Sequence, residues 1–150
     1  MDLLKGRGPG SSEATLLLYL TADIAVTRLP EPIADAEGWK LPTIRIGIST
    51  PNPDCIKRPE DLKRLGITLD RAIRQMQDEW QVKCIHLVVC APTSASVTLG
   101  QKMQARHHAN YVCYEAIGGA GSPYKATIEI SPDNVRELVS GIGASAPLQL

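Results

Sequence analysis

The feature that most constrains the fold is an alternation of strand-like and helix-like segments in the middle of the chain. The apolar run Cys84–Cys90 contains β-branched residues, and Pro92 ends it. Residues 95–103 then present one apolar helical face, as residues 69–80 do before the strand. Strands that alternate with helices run parallel in one sheet. This order therefore predicts a doubly wound, Rossmann-like α/β fold.

Four further strands are predicted from apolar or alternating segments that end in turn residues. They are residues 15–24, 43–49, 110–116 and 124–130. The first is Leu-rich without alternation, which is typical of a strand covered on both faces. The last follows a glycine-rich turn and is expected to return as a hairpin. The prediction is a mostly parallel sheet flanked by helices, with a C-terminal antiparallel hairpin.

The helix boundaries are predicted from capping residues and breakers. Pro59 begins a helix that Gly66 is expected to interrupt, and Thr68 is expected to cap the longer helix that follows. Ser131 is expected to begin a short last helix that ends near Gly141.

The length of 150 residues predicts one domain, which buries roughly two-thirds of the surface of the unfolded chain. Residues 1–13, rich in glycine, serine and proline, are expected to be a flexible N-terminal segment without a chemical role. Residues 14–140 are expected to form the single lobe, and residues 141–150 a flexible tail. Within the lobe, residues 27–42 contain three prolines and predict an irregular loop.

Composition excludes several classes of protein. The 16 basic and 16 acidic side chains cancel, so the chain has no global field that would attract DNA or anionic membranes. Its apolar runs are far shorter than the ~20 residues of a membrane span, and its first residues do not resemble a signal peptide. The four cysteines lack a CxxC spacing and predict reduced, buried thiols. We therefore expect a soluble cytosolic protein that binds neither membranes nor DNA.

Polar and small residues follow three of the predicted strands. The carboxyl ends of parallel strands meet at one edge of a sheet, where ligands of open α/β folds bind. Hydroxyl groups and free helix N–H groups at that edge suit phosphate and ribose. The candidate ligand-binding residues are Thr21, Asp23, Ser49, Thr50, Pro92, Thr93 and Ser94. The alternative is that these residues only cap helices and shape turns.

The sequence contains no motif that indicates a catalytic, cofactor or metal site. His107 and His108 are adjacent and have no acidic residue within several positions, and His86 is expected to be a hydrogen-bonded core histidine. No phosphate-binding loop occurs, and the glycines of residues 118–121 do not lie between a strand and a helix. We expect no catalytic residue, no cofactor and no metal.

Basic residues cluster between positions 57 and 74. Six lysines and arginines lie there among three acidic residues: Lys57, Arg58, Lys63, Arg64, Arg71 and Arg74. Such a cluster is typical of a solvated helical face. The alternative is a docking face for another subunit or an anionic partner, where charges tune the association rate more than the affinity.

Five segments resemble the C-terminal part of SAVED domains. They are IKRPEDL (56–62), KCIHLVVCAP (83–92), SASVTLGQ (94–101), YVCYE (111–115) and YKATIEI (124–130). The resemblance extends over residues 15–130 and is most specific from Ile85 to Gly100. SAVED domains are similar to two fused CARF-like Rossmann lobes that bind cyclic oligonucleotides. They act in bacterial antiviral defence, in cyclic-oligonucleotide-based (CBASS) and type III CRISPR systems.

The resemblance implies a sensor rather than an enzyme. Its ligand would be a cyclic oligoadenylate or a related cyclic nucleotide, bound by the strand-end residues, with Lys102 reaching back to the rim and Trp39 acting as a lid. Binding would be coupled to oligomerisation or to activation of an effector. Because only one lobe and no effector are present, self-association, a second-lobe subunit or an effector subunit would complete the site.

Two other functions stay open. The chain could be a non-catalytic structural subunit that docks an effector enzyme through its basic helical face. It could also be a ring nuclease that degrades the cyclic messenger, since cleavage needs only the positioning of a 2′-hydroxyl group.

Overall fold

The fold is a seven-stranded mixed sheet with both helices on one of its faces. The computed structural model describes residues 2–5, 12–25, 28–30, 33–35, 38–105, 109–116, 122–132 and 134–138. The strands are β1 (Asp2–Lys5), β2 (Glu13–Tyr19), β3 (Ala34–Asp35), β4 (Gly38–Trp39), β5 (Thr43–Gly47), β6 (Cys84–Cys90), β7 (Asn110–Ala116), β8 (Tyr124–Ile130) and β9 (Val135–Glu137). The helices are α1 (Pro59–Arg74), extended by a π-helical segment (Gln75–Glu79), and α2 (Thr93–Ala105).

The sheet has the strand order β1-β5-β2-β6-β7-β8-β9. Its four central strands, β5, β2, β6 and β7, are parallel, because α1 connects β5 to β6 and α2 connects β6 to β7. β1 is antiparallel at one edge, and β8 and β9 are antiparallel at the other. The short strands β3 and β4 form a separate hairpin. The predicted α/β fold with a parallel centre and an antiparallel C-terminal hairpin is confirmed.

One face of the sheet packs against both helices. Alternate residues of β2, such as Leu16 and Leu18, point to this face and are fully buried. They lie in one cluster with Leu65 and Leu69 of α1 and with Leu99 of α2. Burial of each such side chain contributes about 1.5–3 kcal/mol. This cluster fixes the two helices against the strands.

The opposite face is covered by the segment between β2 and β5. Leu17, Val88 and Tyr114 point to this face and are buried against Leu29 and Ile33. The region expected to be an irregular loop therefore closes the second half of the core. The β3–β4 hairpin also lies in this segment.

Helix α1 corrects two predictions about its boundaries. It runs through Gly66 without a break, and the Thr68 side chain donates to the carbonyl of Arg64 (3.1 Å) inside the helix rather than capping one. A Cβ atom on Gly66 would lie 3.2 Å from Cε of Lys102 on α2. Glycine therefore gives α2 room to approach α1, which offsets its low helix propensity of about 1 kcal/mol.

Both edges of the sheet contain strands that the sequence did not indicate. Residues 2–5, expected in a flexible segment, form β1 on β5. The predicted last helix is wrong where it is described, because Ser131 and Asn134 close a turn and β9 then pairs with β8. In both cases a neighbouring strand supplies a row of hydrogen-bonding groups that local propensity does not reveal. The expected helix end at Gly141 and the tail 141–150 lie outside the described residues.

The expectations about membrane spans and cysteines can be compared with the described residues. Among these residues, none of the helices is both long enough and apolar enough to cross a membrane. The four cysteines are free thiols, and each is half-buried rather than fully buried. His107 and His108 lie outside the described residues.

Candidate functional site

The carboxyl ends of three parallel strands meet at one edge of the sheet. β5, β2 and β6 end there at Gly47, Tyr19 and Cys90. The N–H groups of Leu20 and Thr21 both donate to the carbonyl of Cys90, at 2.8 and 3.0 Å. These bonds hold the chain after β2 beside the end of β6.

Asn52 ties the loop after β5 to the same edge. Its backbone N–H donates to the carbonyl of Leu20 (2.9 Å), and its side chain bridges the carbonyl of Thr50 and the N–H of Asp54, both at 3.0 Å. The loop is a turn built around an asparagine side chain. The three strand ends therefore form one connected surface.

Helix α2 begins directly at this surface. The carbonyl of Pro92 accepts the N–H of Ser96 (3.1 Å), so Thr93 and Ser94 lie in the first helical turn with exposed side chains. Neither residue is the N-cap of α2, the role that was the alternative to ligand binding for these two residues. The first N–H groups of a helix lack partners within it and attract anions. The start of α2 therefore offers N–H donors and two hydroxyl groups together.

A cleft of about 170 Å³, partly open to solvent, lies between the strand ends and α1. Leu20 and Ile48, which follow β2 and β5, form its apolar part with Cys55 and Ile56 of the loop before α1. Its charged part is supplied by α1: Asp61 and Arg64.

The two charged side chains of the cleft differ in their partners. Asp61 accepts the backbone N–H groups of Lys57 (2.9 Å) and Arg58 (3.1 Å), and thereby holds the start of α1. The hydrogen bond from Lys57 is the main cause that lowers the pKa of the Asp61 carboxyl; desolvation opposes it, and the hydrogen bond from Arg58 adds to it. Arg64 is exposed and lines the cleft. A planar guanidinium with several donors matches a phosphate.

None of the predicted strand-end residues is among the described residues that line this cleft, although Leu20 and Ile48 directly precede two of them, Thr21 and Ser49. Thr21 is half-buried, and the side chains of Asp23, Ser49 and Thr50 are exposed. Asp23 accepts the N–H of Ile24 at 2.9 Å, as in a turn. The structure thus brings these residues to one edge, next to the cleft rather than inside it.

Two further predicted residues lie elsewhere. The Lys102 side chain lies in the contact between α1 and α2, with its Nζ 3.8 Å from the position of a Cβ on Gly66. It is therefore held at α1 rather than at the strand ends. Trp39 lies in β4, opposite Ala34 in the hairpin. Its role as a lid stays a prediction.

The sequence interpretation missed Arg64 and Asn52 as site residues. Arg64 was assigned to the basic cluster, whose six side chains are all exposed on or next to α1. Asn52 lies in the turn Thr50-Pro51-Asn52-Pro53, where an asparagine between prolines is the one local indication of its role. This edge of the sheet presents helix N–H groups, hydroxyl groups and the side chain of Arg64, beside the carboxylate of Asp61.

His86 is part of a different cluster, at the opposite ends of the strands. Its Nδ1 lies 2.8 Å from the hydroxyl of Tyr114, and its Nε2 lies 2.8 Å from Oε1 of Glu13. The prediction of a buried, hydrogen-bonded histidine is confirmed. Glu13, the last residue of the segment expected to be flexible and without a chemical role, begins β2 and is one of its partners.

The parallel centre, the crossover helices and the strand-end cleft define a Rossmann-like α/β lobe. The family model for "SMODS-associated and fused to various effectors sensor domain" (SAVED) matches residues 4–130. The chain therefore belongs to the SAVED family.

Solved structures with the same fold include the Acinetobacter baumannii Cap4 SAVED/CARF-domain containing receptor. Its complex with the cyclic trinucleotide 3′3′3′-cAAA matches with a TM-score of 0.67 and 18% sequence identity, over 86% of this chain and 27% of that chain. Its complex with 2′3′3′-cAAA matches with a TM-score of 0.66 and the same identity and coverage. This chain thus spans about a quarter of the length of that receptor. No curated protein sequence gives a significant match.

Proposed function

We propose that this chain is one lobe of a cyclic-oligonucleotide sensor and that a cyclic oligoadenylate binds at the strand-end surface. The observation that carries the proposal is the convergence of three parallel strand ends, the start of α2 and Arg64 at one edge of the sheet. Membership of a sensor family and a solved relative with bound cyclic trinucleotides support this choice of ligand.

The phosphates of the ligand would be bound by the start of α2 and by Arg64. Thr93 and Ser94 add hydroxyl donors beside the free N–H groups of the helix, and Arg64 supplies a positive charge from α1. The hydroxyls of Thr21, Ser49 and Thr50 would contact ribose.

The proposed site is one-sided, because its groups lie at a single edge of one lobe. A cyclic ligand is enclosed only if a second surface closes over it. We propose that a second copy, a separate subunit or another lobe supplies that surface. Ligand binding would then stabilise the assembly by mass action and pass the signal to an effector in antiviral defence.

Calorimetric titration of the purified chain with cyclic di-, tri- and tetra-adenylate tests the proposal. We expect saturable binding of at least one of them. The double variant Thr93→Ala/Ser94→Ala should weaken it roughly tenfold, since each lost hydrogen bond contributes about 0.5–1.5 kcal/mol. Ser96→Ala changes an exposed serine two residues after Ser94 on α2. It is the matched control and should bind as the wild type does. Absence of binding to all three rings, by the chain alone and together with any genetically adjacent partner, would contradict the proposal.

Two measurements on the same samples distinguish the other functions. Light scattering should show a larger assembly with the ligand than without it, whereas a passive docking subunit would keep its assembly state. Chromatography after incubation with cyclic tetra-adenylate should return the intact ring. A linear product would instead identify a ring nuclease.

A further inference from the structure

Three metal-ligating side chains come together at the amino ends of β2 and β6. Glu13 is the first residue of β2 and is paired in register with Cys84, the first residue of β6. Cys84 and His86 are two residues apart on one strand, so both side chains point to the same face. The N–H of Lys83 donates to the carbonyl of Ser12 (2.7 Å), which holds the two strand starts together.

The donor atoms are close enough to share one ion. Nε2 of His86 lies 2.8 Å from Oε1 of Glu13 and 3.9 Å from Sγ of Cys84, and all three donor atoms lie within 4.8 Å of one another. Zinc bonds of about 2.0–2.3 Å in tetrahedral geometry place donor atoms roughly 3.4–3.8 Å apart. The sulfur and nitrogen atoms are already near that spacing. The Glu13 carboxylate would move outward by roughly half an ångström.

Tyr114 orients the histidine for this role. Its hydroxyl lies 2.8 Å from Nδ1 of His86. When a bound ion replaces the hydrogen bond between Nε2 and Glu13, a proton on Nδ1 donates to this hydroxyl and leaves the Nε2 lone pair for the ion. Metal-binding histidines usually have a hydrogen-bond partner of this kind at their other ring nitrogen. Tyr114 is thus a positioning residue.

Burial differs across the cluster in a way that suits an ion reached from solvent. His86 is buried and Cys84 half-buried, whereas the side chain of Glu13 is 48% exposed. The buried imidazole and thiol would be held rigidly by the strands. The exposed carboxylate marks the side from which water could take a fourth position.

We propose that Glu13, Cys84 and His86 form a site for a divalent zinc-type cation. Nitrogen, thiolate sulfur and carboxylate oxygen are the three donor types of zinc in proteins. The sequence patterns predicted no metal, because the ligands are separated by 73 positions between Glu13 and His86 and match no known spacing motif. The site lies at the opposite strand ends from the nucleotide surface and is independent of it.

Titration of the chelator-treated chain with Co²⁺ tests the site directly. We expect saturation at one Co²⁺ per chain, with a thiolate-to-cobalt charge-transfer band in the near ultraviolet and release of Co²⁺ on addition of Zn²⁺. Cys84→Ser should abolish the band and weaken binding by roughly 100-fold or more. Tyr114→Phe should keep the band and weaken binding roughly 10- to 100-fold, as expected for a residue that positions a ligand.

Cys90→Ser is the matched control, since Cys90 is the last residue of the same strand and lies on the same face of the sheet. It should retain both the band and the affinity. Because Cys84→Ser could unfold the chain, X-ray absorption of the wild-type zinc complex gives a second readout, in which one sulfur should lie at about 2.3 Å. Absence of saturable Co²⁺ binding, a band retained in Cys84→Ser, or a zinc shell without sulfur would overturn the proposal.

Discussion

The ring of Tyr19 lies against the backbone of Gly47, in the position that a Cβ atom on residue 47 would occupy. The two residues are paired in register at the carboxyl ends of β2 and β5. The guanidinium of Arg45 lies over the Tyr19 ring, with its Cζ atom 5.2 Å from the ring centroid. Glycine is thus required at this strand end because of a neighbouring side chain, and the contact lies beside the proposed ligand surface.

Gly47→Ala should destabilise the fold by about 1–3 kcal/mol, because the added methyl group displaces the ring. The free energy of unfolding from urea titration measures the effect. In a Tyr19→Ala background the same substitution should cost much less, since the obstructing ring is gone. An equal cost in both backgrounds would contradict the proposed collision.

Tyr111→Phe should destabilise the chain by about 1–3 kcal/mol. The side-chain amide of Gln77 donates to the hydroxyl of Tyr111 (2.9 Å), and both residues are buried between the π-helical segment and β7. Removal of the hydroxyl leaves the amide without this acceptor. The double variant Gln77→Leu/Tyr111→Phe should be less destabilised than the sum of the single variants, and strict additivity in thermal unfolding would argue against coupling.

Asp61→Asn should change how stability depends on pH. The pKa of Asp61 is lowered from 3.8 in the folded chain, chiefly by the N–H of Lys57, so its ionised form stabilises the fold above that value. The contribution is lost as the pH falls through the lowered pKa. The free energy of unfolding of Asp61→Asn should therefore fall less steeply than that of the wild type when the pH is lowered below 4, because the variant has no carboxyl at this position to protonate. Asp54→Asn, in the exposed loop, is the control and should retain the wild-type profile.

Arg64→Ala should weaken binding of the cyclic oligoadenylate roughly 10- to 100-fold, the effect of losing one charge-assisted hydrogen bond of about 1.5–3 kcal/mol. The dissociation constant should also become less sensitive to salt. Arg74→Ala is the matched control on the same helix, because Arg74 is exposed and pairs with Asp70 at 3.1 Å. Equal affinities of both variants would remove Arg64 from the site.

The regular elements of the core could be predicted because their signals are local. Cys84–Cys90, Asn110–Ala116 and Tyr124–Ile130 form strands over the predicted residues. Each is an apolar or alternating run bounded by turn residues, so its period is readable without the rest of the fold. The edge strands β1 and β9 lack such a signal and form because a partner strand is adjacent.

The position of the candidate site could be predicted, but not its detailed composition. The topology rule brought Thr21, Ser49 and Thr93 to one edge of the sheet, since strand ends follow directly from strand order. Whether Arg64 lines the cleft depends on the rotation of α1 about its own axis relative to β2 and β5. That rotation is set by packing of the core and not by any local pattern.

By itself the sequence determined the α/β class, the parallel centre and which residues follow the strand ends, because period and element order are encoded locally. Only the tertiary structure decided which distant side chains meet. Glu13 contacts His86 across 73 positions, and Gly66 continues a helix because α2 packs on it. Such contacts arise from the registers of the strands and the approach of the helices, which the whole core fixes together.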